Sequence, residues 1–456
     1  MATSTPRPTL TAAPGTDLMN CKDHLTWRVE GGTRARPIIV TIMFLEDTLP
    51  WEQFVAWHQQ LCAGMPRMRA HVQELSSPLR RPHWAADPDF RLEQHLQHVT
   101  VSGKGTRRDV LETAAKLAEV PFCQSRSPWN GYLIDGLDDG CSAYLLKISH
   151  SIADGVRLRE MFLRQAAADR PTAPSTPSPT AESPAPAAHH RPRPRNVARR
   201  LGKAAQFITQ ALNDIRDRPY PIPPVKTRFA RRYYTTKVPT DPFKSAAVAC
   251  GGTVHDALVA AVAQGCHQYH RSRGTQRERL RVFSPYAEPP LTARVPFSPM
   301  GNHWFIVRFP LRADQPDPRR RIREIRSAVQ VAYHRDAADW MGAVARISPL
   351  IPLRWFEAGF LRLCASHDFG ISNMPGPRAP LSIGGIRARE IYAIAPVMGF
   401  AVAVTLLSYR DHCHVTVNID PDVIADPDLF AQYIHDSLHE IGALHAPAQP
   451  TSGDHT

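Results

Sequence analysis

A histidine followed four residues later by an Asp-Gly pair, His150-Ser-Ile-Ala-Asp154-Gly155, is the stretch best suited to chemistry. Imidazole titrates near neutrality and can take a proton from a hydroxyl group. The aspartate lies one turn further on, where its carboxylate can fold back and fix the local geometry. Gly155 permits backbone angles that other residues resist. Alone, the pattern is met equally well by a buried structural histidine.

The elements around the motif suit an exposed reactive ring. An apolar run over 143–148 predicts a buried strand that stops at His150. Val156, Leu158, Met161, Phe162 and Leu163, mixed with charged residues, predict a helix after Gly155. A histidine on a turn between two rigid elements can project into a cleft.

Composition narrows the class. A chain of 456 residues has room for two or three cores. With 43% hydrophobic and 21% charged residues it reads as a soluble globular protein. The net charge of +13 suits an anionic partner, or simply arginine-rich coding. Basic residues are scattered, with no zinc-finger or RNP-like pattern, which argues against nucleic acid. The eight cysteines are widely spaced without Cys-x-x-Cys, as expected for a reducing cytoplasm without structural metal. The uncharged stretch 391–409 is interrupted by Pro396 and Gly399 and predicts two buried strands rather than a membrane span.

Along the chain, 1–17 read as a disordered tail and 18–168 as a first α/β half containing a strand over 37–45 and a helix over 51–61. Residues 169–195, dominated by Pro, Ala, Ser, Thr and Arg, read as a linker that cannot bury a core. A second half follows over 196–445, then a tail over 446–456. Its first segment, 197–216, has a basic amphipathic pattern, fit for an anionic membrane or for packing across the second half. Residues 340–363 are apolar and broken by Pro349 and Pro352, as in a core segment or a surface-seeking hairpin.

In this order the pieces resemble the bacterial wax ester synthase/diacylglycerol acyltransferase family, within the CoA-dependent acyltransferase superfamily. The resemblance runs from about residue 37 to 441, the linker aside. It is carried by Met65-Pro-Arg-Met-Arg69, Pro82-His-Trp84 with Asp87-Pro-Asp-Phe90, Ser127-Pro128-Trp129, the motif Ser149 to Gly155, Thr253-Val-His255-Asp256, Gly301-Asn302 and Asn373-Met-Pro-Gly-Pro377. It implies two chloramphenicol-acetyltransferase-like α/β domains, each a mixed sheet with helices, flanking a solvent channel with His150 near its middle. Acyl-CoA would enter from one side and an acceptor alcohol from the other, with no bound cofactor or metal. His150 would be the base, Asp154 a brace tied into a salt bridge behind the motif, and Gly155 the third motif residue. Ser149, Pro128, Trp129, His255, Asp256, Asn302 and Asn373 would line the substrate site, the two asparagines being candidates for the oxyanion. No Gly-x-Ser-x-Gly elbow suggests a covalent intermediate.

Three departures stand out. The first histidine of the family's usual pair is Ser149, the asparagine of an Asn-Asp pair is His255, and no arginine stands over 282–290, where Glu288 lies and Arg294 follows. They leave open an unusual acceptor, such as a specialised-metabolite hydroxyl or amine, or a non-catalytic lipid-binding relative. A cytoplasmic enzyme with peripheral contact to an anionic membrane or lipid droplet is the expectation.

Overall fold

A computed structural model of the chain describes residues 18–32, 35–74, 81–168, 209, 212–213, 215–216, 230–275, 277–287, 301–336, 340–396 and 398–444. The expected tails, the linker, nearly all of the basic segment 197–216, Glu288 and Arg294 lie outside them.

The first half is built on β1 (Ile38–Leu45), whose eight residues are all buried. Ile39, Met43 and Leu45 face one core while Ile38, Val40, Ile42 and Phe44 face another, the period-two alternation of a strand covered on both sides. Helix α2 (Trp51–Gly64) covers the first face and α3 (Arg107–Glu119), opened by a Thr106/Asp109 capping box, covers the second. Strands β5 (Trp129–Asp135) and β6 (Ala143–Ser149) continue the sheet to β4 (Leu96–Thr100).

The second half has its own six-stranded sheet, in the order β7 (Arg232–Pro239), β14 (His412–Ile419), β13 (Val402–Tyr409), β10 (Phe369–Met374), β8 (Arg279–Ala287) and β9 (Trp304–Arg312). Helices over Val254–Ser272, Pro318–Asp336 and Pro427–Ala443 fill one face. The other face packs on Leu25 from α1 (Cys21–Glu30) and on Ala345 and Cys364 from two further helices.

The halves exchange elements. Strand β12 (Ile386–Ile394), from the second half of the sequence, pairs antiparallel with β1 and carries β11 (Ser382–Ile383) to the edge of the first sheet. The stretch 391–409 thus supplies strands to two different sheets, one on each side of Gly399. Among the described residues no single helix is long and apolar enough to cross a membrane.

The join around β12 is polar at one point. Glu390 accepts from Lys237 at 2.8 Å and from the Tyr392 hydroxyl at 2.9 Å, and pairs with Arg107 at 2.7 Å. Burial raises its carboxyl, but these partners outweigh that and hold it down to about 2. A carboxyl depressed by folding stabilises above its ordinary 4.5 and loses that contribution as pH falls toward about 2. Glu390→Gln should therefore cost about 1–3 kcal/mol in urea unfolding at neutral pH, and the difference from wild type should shrink as pH is lowered from 4.5 toward 2.

Candidate active site

Strand β6 ends at Ser149, and residues 150–154 turn into helix α4 (Gly155–Ala168). The turn is fixed from both sides. The His150 amide donates to Pro37 O at 2.9 Å, and the Asp154 carboxylate caps α4 by accepting from Arg157 N at 3.0 Å. Its second oxygen accepts from His303 N at 2.9 Å, tying the turn to the second half. A Cβ at position 155 would lie 2.3 Å from Met374 Sδ on β10, so glycine lets the two halves meet there.

The imidazole is oriented by Asn302. Nδ1 of His150 lies 2.6 Å from Asn302 Oδ1, which also accepts from Trp304 Nε1 at 2.9 Å. The Asn302 amide donates to Asp23 Oδ1 at 2.9 Å and to His150 O at 2.6 Å. A flipped amide would face a carboxylate and a carbonyl with its oxygen and the indole N–H with its NH2, so these contacts set the assignment. Oxygen therefore faces Nδ1, Nδ1 carries the proton, and Nε2 keeps its lone pair. Among the described residues Nε2 makes no hydrogen bond, and His150 keeps part of its surface open to solvent. Burial, the strongest influence, pushes the imidazole below its ordinary 6.5 against the pull of Asp154 and the Asn302 bond. The ring is neutral at pH 7.

Asp23 is the residue that sequence reasoning missed. It sits fully buried in the first turn of α1, where Asn20 caps the helix through Lys22 N and Asp23 N. It also accepts from Asn302 N at 2.7 Å and pairs with Arg67 at 3.0 Å. Arg67, in the Met65 to Arg69 landmark, donates on to Ile152 O at 3.1 Å. A cation thus braces the motif from the first half, while Asp154 itself is held by backbone N–H groups.

Ser149 is buried, its hydroxyl bonded to Glu30 and 2.7 Å from Ser151 Oγ. Burial pushes the Glu30 carboxyl up to about 8. Trp129 lies in the core, stacked between His58 and His95, with Nε1 donating to Met68 O at 2.8 Å. Pro128 is buried beside it and accepts from Ser149 N. Both residues are buried, and these contacts are packing and hydrogen bonds within the first half. Asp256 closes the capping box of the Val254–Ser272 helix and lies 3.7 Å from Arg326. His255, held down to about 4 by burial, meets Tyr286 edge-on at 5.3 Å. Among the described residues neither bonds to the His150 group. Asn302 has both amide protons engaged, which removes it as a free oxyanion donor. Asn373 is half-buried on β10, next to the Met374 that touches Gly155.

A cleft of about 750 Å³ lies between α3 and β7 and is bordered by Ala115, Glu119 and Tyr233. The same three residues border a small cavity that Arg36 and Ile38 also line, and those two help line a third together with Glu30 and Phe122.

The wax ester synthase/diacylglycerol acyltransferase catalytic domain model matches residues 19–258, and the WS/DGAT C-terminal domain matches residues 300–442. The chain belongs to the wax ester synthase/diacylglycerol acyltransferase family. A putative diacylglycerol O-acyltransferase of Mycobacterium tuberculosis is 27% identical, covering 92% of this chain and 91% of that protein. The wax ester synthase/diacylglycerol acyltransferase from Marinobacter aquaeolei VT8 superposes with a TM-score of 0.63 at 19% identity, over 94% of this chain and 100% of the other. The first condensation domain of the CDA synthetase shares the fold at 0.59 and 16% identity, over 95% and 97%. The protein is an O-acyltransferase of the WS/DGAT type, with the two-domain α/β fold of that group.

Gly301 makes the Asp23–Asn302 contact possible. Its φ is +144°, and a Cβ there would lie 2.7 Å from Asn20 Nδ2 and 3.1 Å from Asp23 Oδ2. Gly301→Ala is expected to cost about 1–3 kcal/mol in chemical denaturation and to lower turnover beyond that, because it pushes Asn302 away from α1. Unaltered stability and turnover would contradict this packing.

Proposed function

We propose that His150 is the general base in transfer of a fatty acyl group from the CoA thioester to the hydroxyl of a long-chain alcohol or diacylglycerol. The observation that carries the reading is the anchored Nδ1–H, which leaves the lone pair on Nε2 of a partly buried ring. Nε2 takes the hydroxyl proton as oxygen attacks the thioester carbon. The tetrahedral oxyanion collapses with cleavage of the C–S bond, and the departing thiolate takes the proton back from Nε2. No acyl-enzyme forms. Asp23 and Asn302 act as positioning residues that hold the ring in the tautomer this sequence of proton transfers needs.

Family membership supports the donor and the class of acceptor, since the domain model and the relatives bear the names of wax ester synthases and diacylglycerol acyltransferases. The half-buried amide of Asn373 and backbone N–H groups near the turn are the donors suited to the oxyanion.

Thiol release from palmitoyl-CoA, followed across a panel of alcohols, tests the reading. His150→Ala should lose about 10²–10⁴-fold in kcat/KM with its unfolding transition intact; turnover equal to wild type would refute the base. Asp23→Asn should lower kcat by about 10–100-fold with little change in KM, a split that simple loss of folded protein would not produce. For wild type, the acid limb of kcat/KM should fall below pH 6.5, because Nε2 accepts a proton only while the imidazole is neutral.

A further inference from the structure

The segment Trp340–Ile347, a short 3-10 turn over Ser348–Leu350, and Leu353–Ala365 form a helical corner packed with α1 against the second sheet. Helix α1 lies beneath it, with Arg28 donating to Ser348 O and, at 2.9 Å, to Ile351 O. Large apolar side chains are exposed at its tip. Ile347 is 44% exposed, Leu350 68% and Trp355 66%, within nine residues of sequence. Leaving three such side chains in water is unfavourable unless something covers them.

The charge around the tip has one sign. Arg346, Arg354 and Arg362 are exposed, and among the described residues no carboxylate pairs with them. The single acid of the segment, Glu357, is buried at 4% exposure and faces Gly32. The Arg354 guanidinium stands 5.8 Å over the Trp355 ring. Exposed Trp and aliphatic tips ringed by unpaired arginines complement an interface that is apolar inside and anionic at its surface.

We propose that this corner seats the protein on an anionic lipid surface, with Ile347, Leu350 and Trp355 in the acyl boundary and the three arginines among the headgroups. The corner is continuous with the catalytic turn. Half-buried Phe356, Phe360, Met398 and Trp304 pack on one small core, and Trp304 meets the His150 ring edge-on at 6.2 Å. A lipid-dissolved alcohol would reach His150 along this apolar seam. That route rests on the acyl-transfer reading; the docking itself does not.

Flotation of the full chain with phosphatidylcholine vesicles, with and without phosphatidylglycerol, tests the docking at low and high salt. Wild type should float with the anionic vesicles at low salt and be released as salt shortens the reach of charge. At about five-fold per cation near the surface, R346A/R354A/R362A should weaken binding by about a hundred-fold. L350S/W355S should also detach while keeping wild-type turnover of a short alcohol in solution and losing turnover of a vesicle-embedded one. Failure of wild type to float, or flotation of both variants like wild type, would overturn the proposal. So would a wild-type dimer in sedimentation velocity that L350S/W355S splits, since a second copy would then cover the corner. If His150→Ala keeps full turnover, the acyl-transfer reading fails while flotation still decides the docking.

Discussion

A buried carboxylate at the start of one short helix decides which nitrogen of His150 carries the proton. Asp23 takes one side-chain amide proton of Asn302 and His150 O the other, which turns the asparagine oxygen toward Nδ1 of His150. Burying Asp23 alone would be costly, and the structure offsets this with Arg67, with the Asn302 backbone N–H, and with its place at a helix N-terminus. Removing any member leaves another with an unmet hydrogen bond in a closed space, so the group acts as a unit.

The two halves are held so that this unit can form. Helix α1 comes from the first half of the chain yet packs on the second sheet, and β12 comes from the second half yet pairs with β1. The first exchange brings Asp23 of α1 to Asn302 beside the 150–154 turn. Asp154 and Gly155 sit on that seam, one accepting from His303 N and the other giving Met374 room. The missing arginine of the family pattern is less consequential in this setting. Asp154 is satisfied by backbone N–H groups, and Arg67 braces Ile152 from the other side.

Much of this was legible in the sequence where a local pattern is also the structural cause. Strands over 37–45 and 143–148 read as buried because both faces are apolar, and both are covered on two sides. The helix beginning near Thr253 carries its capping box in the sequence. Helix α1 carries no such signal. Trp27 packs in the first half's core and Leu25 in the second's, so no single apolar stripe appears, and Lys22, Asp23 and His24 are buried polar residues. The role of Asp23 depends on a partner 279 residues away, beyond the reach of any local pattern. Trp129 shows a related limit: its place in a family landmark does not reveal that its ring stacks on His58 and His95 and that its N–H is used by Met68.

The tautomer of His150 is the claim on which the rest depends, and it can be observed without substrate. Long-range 1H–15N correlation of histidine-labelled protein near pH 7.5, with the signal assigned by its loss in His150→Gln, reports which ring nitrogen carries the proton. The account predicts a protonated Nδ1 and a bare Nε2, with that preference lost in Asn302→Ala. A proton on Nε2 in the wild-type protein would contradict it.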